Sequence, residues 1–429
     1  MNQASVSSAP RALRPGTSPL VVALAGMAAL AAAMGIGRFA FTPLLPMMLH
    51  DGVIDIATGS WLATANYAGY LMGALLYMAL PWLARRAGTA APGSDILNAA
   101  FNAALARWWL VATVLLTAAL ALPWPASWPL LRLLAGVASA LVFLGTANWC
   151  LGRLAHLGHP ALGGLIFCGP GVGIVITGLP ASAMVAAGWS AAAGWAAFAV
   201  LAALLCALAW PVIRGGDAPQ GVAGAVPTAQ ANPARPAAER ALLALAYGLA
   251  GFGYIITATF LPVIARAALP ADSVWPDLFW PVLGAGVALG AFLSTRIAPT
   301  RDRRLLLAGA YLLQALAIAL PLVWPQPAGF ALGSLLVGIP FTAITFFALQ
   351  EARLQWPQAS AGFTGLLTAL YGLGQIAGPP LAAALLARSP SQAQGFDRAL
   401  AVAGCTLLLG AVLYGAMVWR WPKAVLPKQ

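Results

Sequence analysis

Twelve apolar runs, each near the ~20 residues that a helical bilayer crossing requires, constrain this chain more than any other feature. They fall at roughly 20–49, 60–84, 107–124, 127–151, 162–187, 189–213, 240–267, 275–297, 303–323, 327–351, 361–387 and 397–420. Hydrophobic residues make up 61% of the 429 positions and charged residues 7%, which excludes two or three soluble domains. Lipid offers the backbone no hydrogen bonds, so only helices or a closed barrel can span it. The ten-residue alternation of barrel strands is missing. The expected fold is therefore an all-α membrane protein with twelve transmembrane helices in two six-helix bundles. The first run is too long for a signal peptide and lacks an obvious small-residue cleavage site, so it reads as the first helix.

The runs divide six and six around a segment rich in Gly, Pro and Ala at 214–238, expected to be a cytoplasmic linker. This gives a tail at 1–18, bundles at 19–213 and 239–421, and a second tail at 422–429. With the amino terminus inside, seventeen of the 22 Lys and Arg residues fall on the cytoplasmic face and three on the outer face. Both termini are thus expected in the cytoplasm. The net charge of +12 reflects this topology and gives no reason to expect a nucleic-acid partner. The halves also echo each other. Gly35-x-Gly37 and Leu45-Pro46 recur as Gly251-x-Gly253 and Leu261-Pro262, Gly171-x-Gly173 as Gly372-x-Gly374, and Gly136 as Gly338. Repeated halves with Gly/Pro-interrupted helices are the sequence pattern of secondary transporters, whose sites lie between the repeats near the midplane.

Arg38 sits inside the first run, where a guanidinium costs roughly 2.5–3.5 kcal/mol on insertion scales and normally faces a bundle interior or a watery cavity. Gly35 and Gly37 before it permit close backbone approach, and Pro43 and Pro46 beyond it permit a kink. Arg38 is the leading candidate for an anion contact, because its planar fork of donors suits a carboxylate or phosphate. Polar residues expected to converge on it are Asn66, Tyr67, Tyr70, Asn148, Tyr254, Thr257, Tyr371 and Gln375, although each taken singly also suits a helix–helix hydrogen bond. Arg132, three residues after Pro129, is expected to snorkel to the outer interface.

Every Asp and Glu falls in a loop or at a helix end, so no buried carboxylate stands out as a proton relay. The four cysteines, in or at the ends of apolar runs, read as small hydrophobes. Neither a GK[ST] phosphate loop nor a catalytic or metal-ligand set is present, so no cofactor, metal or enzymatic activity is expected.

Residues 35–49, GIGRFAFTPLLPMML, followed by SWLATANYAGYLMGAL at 60–75, resemble the YbfB/YjiJ family of bacterial inner-membrane transporters within the major facilitator superfamily. The resemblance implies a small-molecule substrate, with a coupling proton or ion, carried by a multi-pass protein of the inner membrane, here expected to be a monomer. The superfamily's loop between helices two and three usually reads G-x-L-x-D-R-x-G-R. Here Leu83-Ala84-Arg85-Arg86-Ala87-Gly88 keeps the basic residues without the acid, and a more polar segment, Thr89 to Ala106, follows. Arg301-Asp302-Arg303-Arg304 retains a mixed-charge form in the second half. Gly35, Gly37, Pro43, Pro46, Arg85, Arg86, Asp302 and Arg303 are accordingly expected to serve conformational switching. A small organic anion or zwitterion is the expected cargo. Efflux of apolar or cationic compounds and a non-transporting receptor are the alternatives.

Overall fold

The computed structural model describes residues 18–88, 96–214, 236–297, 302–356 and 360–422. The expected tails and the linker lie almost wholly outside the described residues. Among the described residues, twelve helices are long and apolar enough to cross a membrane. In the first half they are α1 (Pro19–His50), α2 (Ile56–Arg86), α3 (Ala99–Ala119), α4 (Pro125–His156), α5 (Pro160–Ala186) and α6 (Ala191–Ala209). In the second they are α7 (Ala237–Ala268), α8 (Trp275–Ser294), α9 (Arg303–Val323), α10 (Pro327–Gln355), α11 (Gly362–Ala387) and α12 (Gln392–Arg420).

One boundary differs from the expectation by a full two turns. Helix α3 begins at Ala99, so the last eight of the eighteen residues of the more polar segment Thr89 to Ala106 belong to a candidate spanning helix. Asn98 caps it by accepting a hydrogen bond from the Phe101 amide, and Asn102 is buried with its amide on the Leu97 carbonyl and its oxygen accepting from the Tyr77 hydroxyl. Two asparagines satisfied in this way lower the apparent hydropathy of a stretch that still spans.

The two halves pack alike. In the first, α2 lies against α4 with Gly136 on the Asn66 carbonyl; in the second, α8 lies against α10 with Gly338 on the Leu283 carbonyl. The halves meet through α5 on α8 and α2 on α11, where Gly171 faces Gly284 and Ala288 and Gly372 faces Leu71. The repeated glycines of the sequence are thus the small surfaces that let helix backbones touch. At the centre, Thr42 donates to the Ala258 carbonyl at 2.7 Å, and these residues are separated by the repeat offset of 216. Equivalent positions that bond each other lie on the pseudo-two-fold axis, so the Arg38 region of α1 sits where the halves meet.

Helix α1 is broken where the sequence places Gly35 and Gly37. Residues Ala31–Ile36 form a π-helical stretch, a turn follows, and the α-helix resumes at Phe41. The wider winding shows in the bonds from the Gly37 amide to the Ala32 carbonyl and from the Phe39 amide to the Met34 carbonyl. A Cβ on Gly35 would overlap the Cα of Gly173 on α5, a backbone atom that cannot swing aside. Gly35→Ala is therefore expected to lower stability by about 1–3 kcal/mol, the usual cost of overpacking, seen as a lower melting temperature of the purified protein. An unchanged melting temperature would show that α1 and α5 are not held at this distance.

Candidate functional site

The break in α1 leaves backbone carbonyls without helical partners, and three side chains from neighbouring helices bond carbonyls of the broken stretch. The Thr42 amide, which would bond the Arg38 carbonyl in a regular α-helix, bonds the Phe39 carbonyl instead. Arg132 of α4 donates to the Arg38 carbonyl at 3.2 Å through Nη2, and Asn66 of α2 donates to the Gly37 carbonyl at 3.3 Å and the Arg132 carbonyl at 3.0 Å. Ser139 of α4 reaches the Ala33 carbonyl at 2.6 Å. Irregular backbone at membrane depth is sustained here by polar groups from two neighbouring helices.

Held this way, the Arg38 guanidinium crosses to the other half of the protein. Its Nη2 donates to Gln375 Oε1 at 2.7 Å, and Gln375 Nε2 donates to the Tyr254 hydroxyl at 2.6 Å. Tyr254 is the residue at the Arg38 position in the second repeat, so the charge of one half and the phenol of the other flank a single amide. Aromatic rings enclose the cation. The Tyr70 centroid lies 4.1 Å from Arg38 Cζ, Tyr67 at 5.2 Å and Phe39 at 5.3 Å. Tyr371 stacks on Tyr247 at 4.7 Å and on Tyr254 at 6.0 Å, with Phe341 edge-on to Tyr254 at 4.8 Å. Ring faces carry partial negative charge and stabilise a desolvated cation, but they do not neutralise it. The Tyr67 hydroxyl lies 2.8 Å from Thr259 Oγ1, which itself donates to the Ile255 carbonyl, so Tyr67 is the donor and ties α2 to α7.

Arg132 corrects the sequence reading. It is only 1% exposed, beneath the Arg38 backbone, with Cζ 4.7 Å from the Phe41 ring centroid. Proximity to Pro129 favours an interfacial arginine in sequence, but the free carbonyl of the broken helix draws the side chain inward. Its Nε and Nη1, like Nε of Arg38, have no hydrogen-bond partner. Among the described residues no carboxylate lies within ion-pair distance of either arginine.

The structure thus gathers Arg38, Tyr67, Tyr70, Tyr254, Tyr371 and Gln375, and adds Arg132, Thr259, Phe39 and Phe341. Asn66 stands behind this cluster with its amide spent on backbone. Thr257 is buried nearby on α7 without a hydrogen-bond partner. Asn148 lies elsewhere: sixteen residues beyond Arg132 on α4 is ~24 Å along a helix, and its amide bonds the Tyr77 hydroxyl and the Leu144 carbonyl. Pro43 and Pro46 lie in the resumed segment of α1. Arg85 and Arg86 are exposed at the end of α2, Arg86 over the Trp82 ring. Arg303 bonds Gln350 of α10 at 2.9 Å, and Asp302 caps α9.

Two acids expected near helix ends are in fact buried. Glu239, in the first turn of α7, is 1% exposed and Glu351, near the end of α10, is fully enclosed. Arg304 binds Glu239 Oε1 at 2.7 Å and Asp302 Oδ2 at 2.8 Å, and donates to the carbonyls of Met417 and Trp421. This cluster ties α7, α9 and α12 together at one end of the second bundle, far along α7 from Tyr254.

A family model described as "Uncharacterised MFS-type transporter YbfB" matches residues 30–415. The chain belongs to this family of major facilitator transporters. No curated protein matches the sequence. Among solved structures, a crystal structure of a mutant of the nucleoside transporter NupG is similar, with TM-score 0.67 and 15% identity, covering 93% of this chain and 99% of that one. That likeness shows the fold alone. In this YbfB-type transporter the stretch GIGRFAFTPLLPMML lies within the matched residues, on the α1 break and the residues that frame Arg38.

Proposed function

We propose that this transporter moves a small organic anion or zwitterion across a bacterial inner membrane by alternating access, as a monomer with both termini cytoplasmic. The observation that carries the reading is the pair of buried arginines at the junction of the two halves, with no described carboxylate beside them. A substrate carboxylate or phosphate that replaced Gln375 on the Arg38 fork would supply the missing charge and make charge-assisted, bidentate hydrogen bonds. Arg38 is 3% exposed and Gln375 2%, so a ligand reaches them only when the halves part, which suits rocking about the α5–α8 and α2–α11 contacts.

A thermal-shift screen of the purified protein against metabolite classes tests this. Stabilisation is expected from organic anions or zwitterions and not from organic cations. Stabilisation by cations alone would overturn the reading and favour efflux of cationic compounds. The rings around Arg38 favour one second reading, an uncharged planar metabolite, and nucleosides, the cargo named for NupG, belong in the screen for that reason.

Gln375→Glu sharpens the test. It sets a carboxylate at the position where an amide oxygen now lies 2.7 Å from Arg38 Nη2. The variant is expected to keep or raise its melting temperature and to lose stabilisation by the anion, because the site supplies its own counter-charge. An anion response equal to that of the unaltered protein would place the substrate away from Arg38.

A further inference from the structure

An apolar groove lies on the outer surface of the first bundle, away from Arg38. Helices α3 and α6 leave between them a shallow groove of about 460 Å³, lined by Val111, Val114, Ala203, Cys206, Ala207 and Trp210 and almost wholly apolar. Both walls are single helix faces: 111 and 114 on α3, and 203, 206 and 207 on α6, with Trp210 at the C-cap of α6. The groove opens among side chains turned outward, including Trp108, Leu115, Val200, Leu204 and Leu208, and so faces the lipid. Arg107 continues the α3 face by one turn and closes one end. Its Cζ lies 3.9 Å from the Trp210 ring centroid and its Nε is enclosed without a hydrogen-bond partner.

The repeat offset of 201 to 202 between Gly171 and Gly372 and between Gly136 and Gly338 places Ala308 and Gly309 of α9 opposite Arg107. The cation at the end of the groove therefore belongs to the first bundle and is not part of the repeated fold.

We propose that this groove binds an anionic phospholipid, one acyl chain lying along Val111, Val114, Ala203 and Ala207 and the phosphate meeting Arg107 where Trp210 holds it. The charge order is that of a lipid: an apolar channel about two helical turns long ending in one arginine beside an aromatic ring at the helix end. A zwitterionic lipid has the chain but a weaker claim on the cation, and a free phosphate ester has the charge without the chain.

The test uses the full-length protein stripped of lipid in detergent, with binding of phosphatidylglycerol, phosphatidylcholine and glycerol 1-phosphate followed by native mass spectrometry and thermal unfolding. Phosphatidylglycerol is expected to bind about tenfold more tightly than phosphatidylcholine, and glycerol 1-phosphate not to compete. Arg107→Gln is expected to remove that preference while melting like the unaltered protein in phosphatidylcholine. Arg107→Lys should keep part of it, and Ala203→Phe should weaken both lipids by filling the trough. Equal binding of the two lipids by the unaltered protein, a preference that survives Arg107→Gln, or full competition by glycerol 1-phosphate would each overturn the proposal.

Discussion

Arg38→Ala is expected to abolish uptake or export of the cargo while the protein still reaches the membrane in normal amount. Truncating one partner of a buried, hydrogen-bonded charge contact costs about 2–5 kcal/mol, which corresponds to a loss of affinity between roughly 30-fold and several-thousand-fold. The fold should survive, because the backbone at Arg38 is held from behind by Arg132 and Asn66, whose bonds run to the carbonyls of Arg38 and Gly37 and not to the Arg38 side chain. Removing the guanidinium also relieves a buried charge that only one amide and three rings now stabilise. Arg38→Lys keeps the charge but loses the planar fork, so partial transport is expected from it. Transport assays normalised to membrane abundance read all three proteins. Normal transport by a well-expressed Arg38→Ala variant would remove Arg38 from the substrate path.

The largest stability effect is expected at Arg304. Its guanidinium is fully enclosed and meets two carboxylates and two carbonyls, so Arg304→Ala leaves Glu239 buried without its strongest partner. Breaking a buried ion pair from one side costs about 3–5 kcal/mol. The expected result is a sharply lower melting temperature and reduced yield of the full-length protein. Glu239→Gln should do less harm, because the amide still offers an oxygen to Arg304 and no charge is left stranded. A melting temperature unchanged in Arg304→Ala would mean that the cluster does not hold α7, α9 and α12 together.

Arg38 and Arg132 show how far the sequence was legible. The apolar runs specify the twelve helices because length and hydropathy are local properties, and the repeated glycines mark the contacts because only small residues allow backbones to meet. Arg38 stands out for the same local reason, as a charge inside a spanning run. Arg132 does not stand out, because its inward turn depends on a carbonyl freed in another helix, and the π-helical break that frees it has no unique sequence signal beyond Gly35 and Gly37. The start of α3 was hidden by Asn98 and Asn102, which count as polar in a window but are satisfied by a cap and by Tyr77. Glu239 and Glu351 sit near helix ends in sequence, yet the neighbouring helices enclose them, and Asn148 shares a helix with Arg132 but stands some four turns away. Burial among helices distant in sequence is the element that a single-chain reading could not supply.

The central claim is that a substrate's negative charge completes the buried Arg38 site. Its most direct measurement is the dissociation constant of the best-stabilising anion for the unaltered protein, Arg38→Lys and Arg38→Ala, by calorimetric titration in detergent. The account predicts an ordered loss, with weakened binding in the lysine variant and at least about 30-fold weaker binding in the alanine variant. Equal affinity in all three proteins would contradict it.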